Sequence, residues 1–478
     1  MNKSFKLDEI TCNDINIDQL YSLTNHTHSR VGGEYLYNTL KHPIQDEDVL
    51  KKRDELCDIL KDNKELKNQI DNSLSRLGND PDIFVFSCAD SLDTIRFKST
   101  LANKVLSLLL LFTFIFMILL DSKILLFMSL FLIPVNMVYY FKCKEKIANY
   151  INVFKFFIRY FNNISYLTKI KDKAIESYIN EINKSLKVFN KTKRFSFFLL
   201  AGRRATGGFI DLFLDYIRML FHVDIIKFYS MLKQLKTNNI QLINLLKVTG
   251  ELDMISSTVT FRESLPFYSK PSFVDKLYLE VKDMYHPYLK SPISNSISAK
   301  KSVLITGSNA TGKSTFIRTI GINAILSQTL YTSTSNYYCA PMFKIYSSMM
   351  ISDNLLKDES YFVAELKAIK RMTTKDEEYY RLYLLDELLR GTNTNERILA
   401  SSRILDYLSD SKTLCFAATH DIILTTKLNN KYDNYYFNES FINNKLVFDY
   451  QLKKGICQTT NALKLLRSFD FPKEIWKD

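Results

Sequence analysis

Residues 307–314 read Gly307-Ser308-Asn309-Ala310-Thr311-Gly312-Lys313-Ser314. The octet meets every fixed position of G-x-x-x-x-G-K-[ST], the pattern of a loop that wraps phosphate. That pattern constrains the surrounding fold: a buried strand must lead in, and a helix must lead out with its N-terminus toward the phosphate. Both signals are present. The apolar run Ser302–Thr306 precedes the loop, and Ser314 opens the helical stretch STFIRTIGINAIL. The glycines let backbone N–H groups turn toward phosphate oxygens. Lys313 is placed to neutralise β- and γ-phosphates, Ser314 to bind Mg²⁺, and Thr315 follows in the first helical turn. The expected ligands are ATP and Mg²⁺.

Two further strand ends supply the remaining chemistry. Leu382-Tyr383-Leu384-Leu385 ends in Asp386-Glu387. Asp386 suits the hydration shell of Mg²⁺, and Glu387 suits a general base that polarises the attacking water. A second apolar strand, Thr413 to Ala417, leads to Ala418-Thr419-His420, which sets an imidazole where it can bond the γ-phosphate or that water. Leu277 to Val281 reads as another strand. Strands alternating with helices after Pro271 imply a mainly parallel, doubly wound sheet.

Before Pro271 the texture is helical. Gly and Pro number only 12 and 9, which disfavours turn-rich β architecture. Residues 14–100 show helical apolar spacing, as in Ile17, Leu20 and Leu23, with Asn13 or Asp14 as the expected first cap. Phe209 to Leu232 reads as one amphipathic helix, and His222 within it as a structural histidine.

Val105 to Leu120 and Ile124 to Phe141 are charge-free apolar runs separated by Asp121-Ser122-Lys123. Each is about 16–18 residues, near the lower limit for crossing a bilayer core. The pair reads as a transmembrane helical hairpin or as a buried hairpin of a soluble core. Lys98, Lys104, Lys142, Lys144 and Lys146 flank the outer ends, which by the positive-inside bias face the cytoplasm. Tyr139 and Tyr140 stand where an interfacial aromatic belt would lie. One hairpin offers no polar translocation path, which argues against a transporter.

The net charge of +13 suits a polyanionic partner, nucleic acid or anionic membrane, or reflects a generally Lys-rich surface. Seven cysteines without a C-x-x-C pair argue against a disulfide framework or zinc site. The opening MNKSFKLDEITCND has no apolar core, so no secretory signal is expected.

Taken together and in this order, the motifs resemble the C-terminal ATPase of the MutS family, a branch of the ABC-type ATPases. Asp353-Asn354-Leu355 and Ser360-Tyr361-Phe362-Val363-Ala364-Glu365 are similar to the family signature. The resemblance implies that Ser360 reaches the γ-phosphate held by the other subunit. Arg390-Gly391-Thr392-Asn393-Thr394 looks like the family's Arg-Gly-Thr-Ser-Thr. His286-Pro287 looks like the His-Pro before the first ATPase strand, with Tyr285 where an Arg is usual. Pro292-Ile293-Ser294-Asn295 occupies the place of the adenine-contacting segment, so His286 and Ile293 are implied nucleotide contacts. Gly455, Leu463 and Phe471-Pro472-Lys473-Glu474-Ile475 resemble the closing helix that helps dimerise the ATPases. More weakly, His26-Thr27-His28-Ser29-Arg30-Val31-Gly32-Gly33 and Leu40-Lys41-His42-Pro43-Ile44 look like the opening of the family's helical core. About a dozen residues precede that core, so no domain with the Phe-x-Glu mismatch wedge is expected. No clamp-like insertion or Smr-type nuclease tail is evident.

The expected class is α + α/β. Residues 1–100 and 145–270 form a helical core or lever domain, 101–144 an inserted transmembrane hairpin, and 271–478 a P-loop ABC-type ATPase domain with a mainly parallel sheet. The expected partners are a second copy through the ATPase domain, double-stranded DNA, and the cytoplasmic membrane through residues 105–141, with the ATPase facing the cytoplasm. A scaffold ATPase acting on a protein partner without DNA is the alternative.

Overall fold

Alternation of strand and helix after residue 271 produces two sheets in the computed structural model. The structure describes residues 5–95, 100–190, 209–308, 311–349, 361–374, 378–390, 392–442, 445–456 and Pro472. In chain order the strands are β1 (Ser272–Phe273), β2 (Leu279–Met284), β3 (Asn295–Ala299), β4 (Ser302–Thr306), β5 (Tyr337–Ala340), β6 (Phe343–Ser348), β7 (Tyr380–Asp386), β8 (Thr413–Ala418), β9 (Tyr432–Ile442) and β10 (Lys445–Lys454). The larger sheet has the order β10-β9-β4-β8-β7-β6. From β9 to β6 the pairings are parallel, and β10 runs antiparallel on β9. Of the smaller sheet, β1-β5-β2-β3, the apolar spacing foreshadowed only β2. Its β2 starts two residues later than the Leu277 to Val281 run and extends to Met284.

Contacts within the chain group it into two units. The first comprises Met1–Asn25, Tyr37–Cys57 and Thr258–Asp478, and the second His26–Leu36 and Asp58–Ser257. The first unit therefore takes in N-terminal segments that sequence texture alone places with the helical part.

In the first unit, β4 and β8 are buried along their whole length, as parallel strands covered on both faces must be. The helix Lys313–Thr329 is buried from Thr319 to Thr329. A Cβ on its Gly321 would lie 2.6 Å from Leu384 Cδ1 and 3.0 Å from Ile15 Cδ1, so a side chain there would separate helix from sheet. Ile398, Leu405 and Leu408 of the helix Thr394–Leu408 join Leu304, Tyr383, Leu385 and Cys415 in one apolar cluster. Each such aliphatic side chain contributes roughly 1.5–3 kcal/mol by leaving water.

The N-terminal helix, Glu9–Ile15, is capped by Asp8, whose Oδ1 accepts from Thr11 N at 2.8 Å. The helix Ile17–Thr24 is capped by Asn16, not by Asn13 or Asp14. Asp14 is buried, and its Oδ2 accepts from Ser347 Oγ at 2.6 Å and Met349 N at 2.9 Å. Spacing cannot distinguish a carboxylate that caps its own helix from one that bonds the end of a distant strand.

The second unit is helical. Leu101–Leu120 and Lys123–Leu167 form the hairpin, turning at Asp121 with φ 43°. The second helix is 45 residues long and runs through positions 144–145 without a break. Its far end is a buried aromatic ladder, with Phe157, Tyr160 and Phe161 each fully enclosed. Burial resumes at Ile147 and recurs from Phe154 to Leu167, which carries the helix past the mostly exposed stretch 142–146. Both hairpin helices are long and apolar enough to cross a membrane, and only 17% and 22% of their spans are buried.

The base of the hairpin is polar inside. Ser107 Oγ donates to Phe221 O at 2.8 Å, His222 Nε2 lies 3.0 Å from Asn136 O, and His222 Nδ1 lies 3.3 Å from Asn103 Nδ2. His222 adopts φ 49° and breaks the Phe209 to Leu232 stretch into helices Phe209–Phe221 and Val223–Thr237. It is structural, as expected. Tyr140 is buried and donates to Asp224 Oδ2 at 2.7 Å. It serves packing rather than an outward aromatic belt.

Candidate functional site

The register of the larger sheet brings the motif ends together. Ile305 and Asp386 both pair with Ala418, so the loops after β4, β7 and β8 emerge side by side. Carboxyl ends of parallel strands are where such sheets bind ligands.

Gly307 has φ +145°, and a Cβ there would lie 2.7 Å from Phe437 O. No other residue fits both the backbone angle and the space. Gly312, φ +103°, leads into the Lys313 helix. Asn309 and Ala310 lie outside the described residues. Lys313 is only 5% exposed, and its ammonium donates to Gly307 O at 2.8 Å and Ser308 O at 2.7 Å. Burial lowers its pKa from the usual lysine value, while Glu387 and Asp386 act against that shift. Thr311 Oγ1 closes the loop by donating to Ser308 O at 2.8 Å. The Ser308 hydroxyl also donates to Glu439 on β9.

Ser314 hydrogen-bonds Asp386, whose carboxyl is raised by burial. Asp386 Oδ1 is buried and has no hydrogen-bond partner among the described residues. A hydroxyl beside an under-satisfied carboxylate suits Mg²⁺, a hard cation that draws its other ligands from phosphate and water. No cluster of three or more His, Cys, Asp or Glu that could hold a metal occurs among the described residues, as that coordination mode requires none.

Glu387 takes φ 50°, held by its N–H donating to Ala418 O at 3.0 Å. His420 Nε2 lies 2.6 Å from Glu387 Oε1, and Arg390 Nε lies 2.9 Å from Oε2. The His420 hydrogen bond, assisted by Arg390 and Lys313, holds the Glu387 pKa below its ordinary value. Glu365 is buried, and its Oε1 accepts from Leu389 N at 2.5 Å. Leu389 has φ 59°, so Glu365 braces the turn that follows the acidic pair. Asp353, Asn354, Leu355, Ser360, Gly391, Leu463, Phe471, Lys473, Glu474 and Ile475 lie outside the described residues.

A cleft of about 570 Å³ adjoins the loop, within the range of small-molecule pockets. His286, Ile293, Lys313, Ser314, Thr315 and Glu387 line it. His286 is buried, and burial lowers its pKa to about 4, so it is neutral at physiological pH. Tyr285 is buried and donates to Phe267 O at 2.8 Å, away from the cleft. Motif spacing missed Tyr450, whose ring lies along the cleft 3.3 Å from where a Cβ on Gly312 would be. Tyr450 has φ 51°, and Asn295 fixes it by donating to Tyr450 O at 3.0 Å and accepting from Leu452 N at 2.7 Å. An aromatic in an alternating strand carries no signal of this backbone turn.

The MutS domain V family model matches residues 303–478. The chain is 24% identical over 261 residues to DNA mismatch repair protein MutS of Bacillus mycoides, covering 52% of this chain and 29% of that protein. MutS of Bacillus cereus gives the same identity, 24% over 261 residues, with the same 52% and 29% coverage. Identity to DNA mismatch repair protein MSH3 of Phaeosphaeria nodorum is 28% over 243 residues, covering 47% of this chain and 21% of that protein. The chain thus spans less than a third of the length of these curated relatives. The glycine loop, the acidic strand end and the histidine strand end all fall within the segment that matches MutS domain V, and this likeness supports membership of the MutS family.

Proposed function

We propose that the chain is an ATP-binding and hydrolysing enzyme that acts as a homodimer, with each ATP held between Lys313 of one copy and Ser360 of the other. The supporting observation is the convergence of Lys313, the Ser314–Asp386 pair, Glu387 and His420 at the carboxyl ends of β4, β7 and β8. Ser314 and Asp386 would hold Mg²⁺, which supplies charge neutralisation at the phosphates when bound. Lys313 transfers its hydrogen bonds from the loop carbonyls to phosphate oxygens. Ile293 and Tyr450 offer apolar and aromatic surface for the adenine. Glu387, ionised and oriented by His420, accepts a proton from the attacking water. Loss of the shared γ-phosphate then loosens the two copies, a ligand-biased two-state switch.

In this reading residues 271–478 are the ATPase, 1–100 and 145–270 the levers, and 101–144 a hairpin anchored in the cytoplasmic membrane with the ATPase in the cytoplasm. The outward apolar side chains of the hairpin support the anchoring. The output is clamping or release of double-stranded DNA, in keeping with relatives named for DNA mismatch repair and a net charge of +13. The same hairpin favours a second reading, a membrane-anchored ATPase that works on a protein partner without DNA.

Binding of the detergent-purified chain to duplex DNA separates the two. Several phosphate contacts predict roughly 10²-fold weaker binding between about 50 and 200 mM salt. No binding at the lower salt leaves only the protein-partner reading.

A further inference from the structure

A second cleft, of about 520 Å³, opens in the helical unit. One wall is the helix Lys123–Leu167 from Met137 to Lys155, the stretch where its apolar run ends at Phe141 and the lysines begin. The other wall is the helix Phe209–Phe221, which supplies Tyr216 and Arg218. Phe141 and Tyr216 are both more than half exposed at the opening.

The interior is set for an anion. Arg218 is only 8% exposed. Its Nη1 donates to Asp215 Oδ1 at 2.8 Å, but its Nε is buried with no partner among the described residues. An unmet guanidinium donor in a half-apolar cleft is costly unless a ligand accepts from it. Lys144 stands nearby with its ammonium 5.0 Å from the Tyr140 ring centroid. Of the two carboxylates lining the cleft, Asp224 already accepts from Tyr140 and Asp215 is engaged by Arg218. Lys144, Lys155 and Arg218 therefore outnumber the acids.

We propose that this cleft binds a phospholipid, its headgroup phosphate taken by Arg218 Nε and Lys144 and its acyl chains leaving over Phe141 and Tyr216. The assignment rests on the membrane-anchored reading, which places the end of the apolar run at headgroup depth. An apolar rim beside a buried guanidinium and an exposed lysine matches an amphiphile, whereas a free phosphate would leave Phe141 and Tyr216 unused.

The test uses the full chain in detergent, titrated by native mass spectrometry with dihexanoyl phosphatidylglycerol and, separately, with inorganic phosphate. The lipid should bind at least about tenfold tighter than phosphate. Arg218→Met should weaken lipid binding by about tenfold or more, the loss of one charge-assisted hydrogen bond. Lys144→Met, on an exposed helix face, should weaken it independently should Arg218→Met fail to fold. Phosphate binding as tight as lipid, or lipid binding unchanged in both variants, overturns the proposal. Alkaline carbonate extraction of membranes reads the anchoring separately: release of the chain refutes the hairpin span, while the titration still decides the cleft.

Discussion

Replacing Lys313 with alanine should lower ATP affinity by about 10- to 150-fold, read by calorimetric titration of the purified chain. The ammonium is almost wholly enclosed, and its two hydrogen bonds at 2.8 and 2.7 Å go to carbonyls of the loop that would cradle the phosphates. A hydrogen bond to a charged group is worth about 1.5–3 kcal/mol, and every 1.4 kcal/mol is tenfold. The substitution also removes a buried charge that burial already disfavours, so the fold loses little by it. An unperturbed melting temperature with lost affinity is the expected pair of results. Unchanged affinity would show that the glycine loop does not hold the triphosphate.

Glu387→Gln should leave ATP affinity within about threefold and lower turnover by roughly 10²–10⁴-fold, the range of a positioned general base. Glutamine keeps the shape and can still bond His420 and Arg390, but it cannot take up a proton. Because the folded-state pKa of Glu387 is depressed, the carboxylate is ionised above its ordinary range and stays so as pH falls until that lowered value is reached. Its contribution to stability, and its role as base, are therefore both present at neutral pH and lost only in acid. Steady-state phosphate release and size-exclusion chromatography with ATP check both halves: slow turnover should accompany accumulation of dimer. Fast turnover by this variant would remove Glu387 from the chemistry.

Much of the first unit was legible because its physics is local. Strands buried on both faces read as continuous apolar runs, and β4, β7 and β8 show in the sequence as Ser302–Thr306, Leu382–Leu385 and Thr413–Ala417. The positive φ of Gly307 and Gly312 is likewise encoded in residue type. What stayed hidden depends on distant partners. Asp14 reads as a cap until Ser347 and Met349 are seen to bond it. His222 sits in an unbroken periodic pattern, yet bonding to the hairpin at Asn136 accompanies a left-handed turn there. Tyr450 enters the cleft only through a strand irregularity between Phe448 and Leu452 that Asn295 stabilises. Of the smaller sheet only β2 showed, as the run Leu277 to Val281, while β1 and β3 are short and partly exposed, with no apolar run to mark them.

Specific ATPase activity measured across a wide dilution series tests most directly whether two chains must hold one triphosphate together. Joint gripping predicts that turnover per chain falls as the sample is diluted below the dimer's dissociation constant, and that mixing in Lys313→Ala chains changes the rate per wild-type chain. Turnover per chain that stays constant down to isolated single copies would contradict it, and with it any motion driven by pairing.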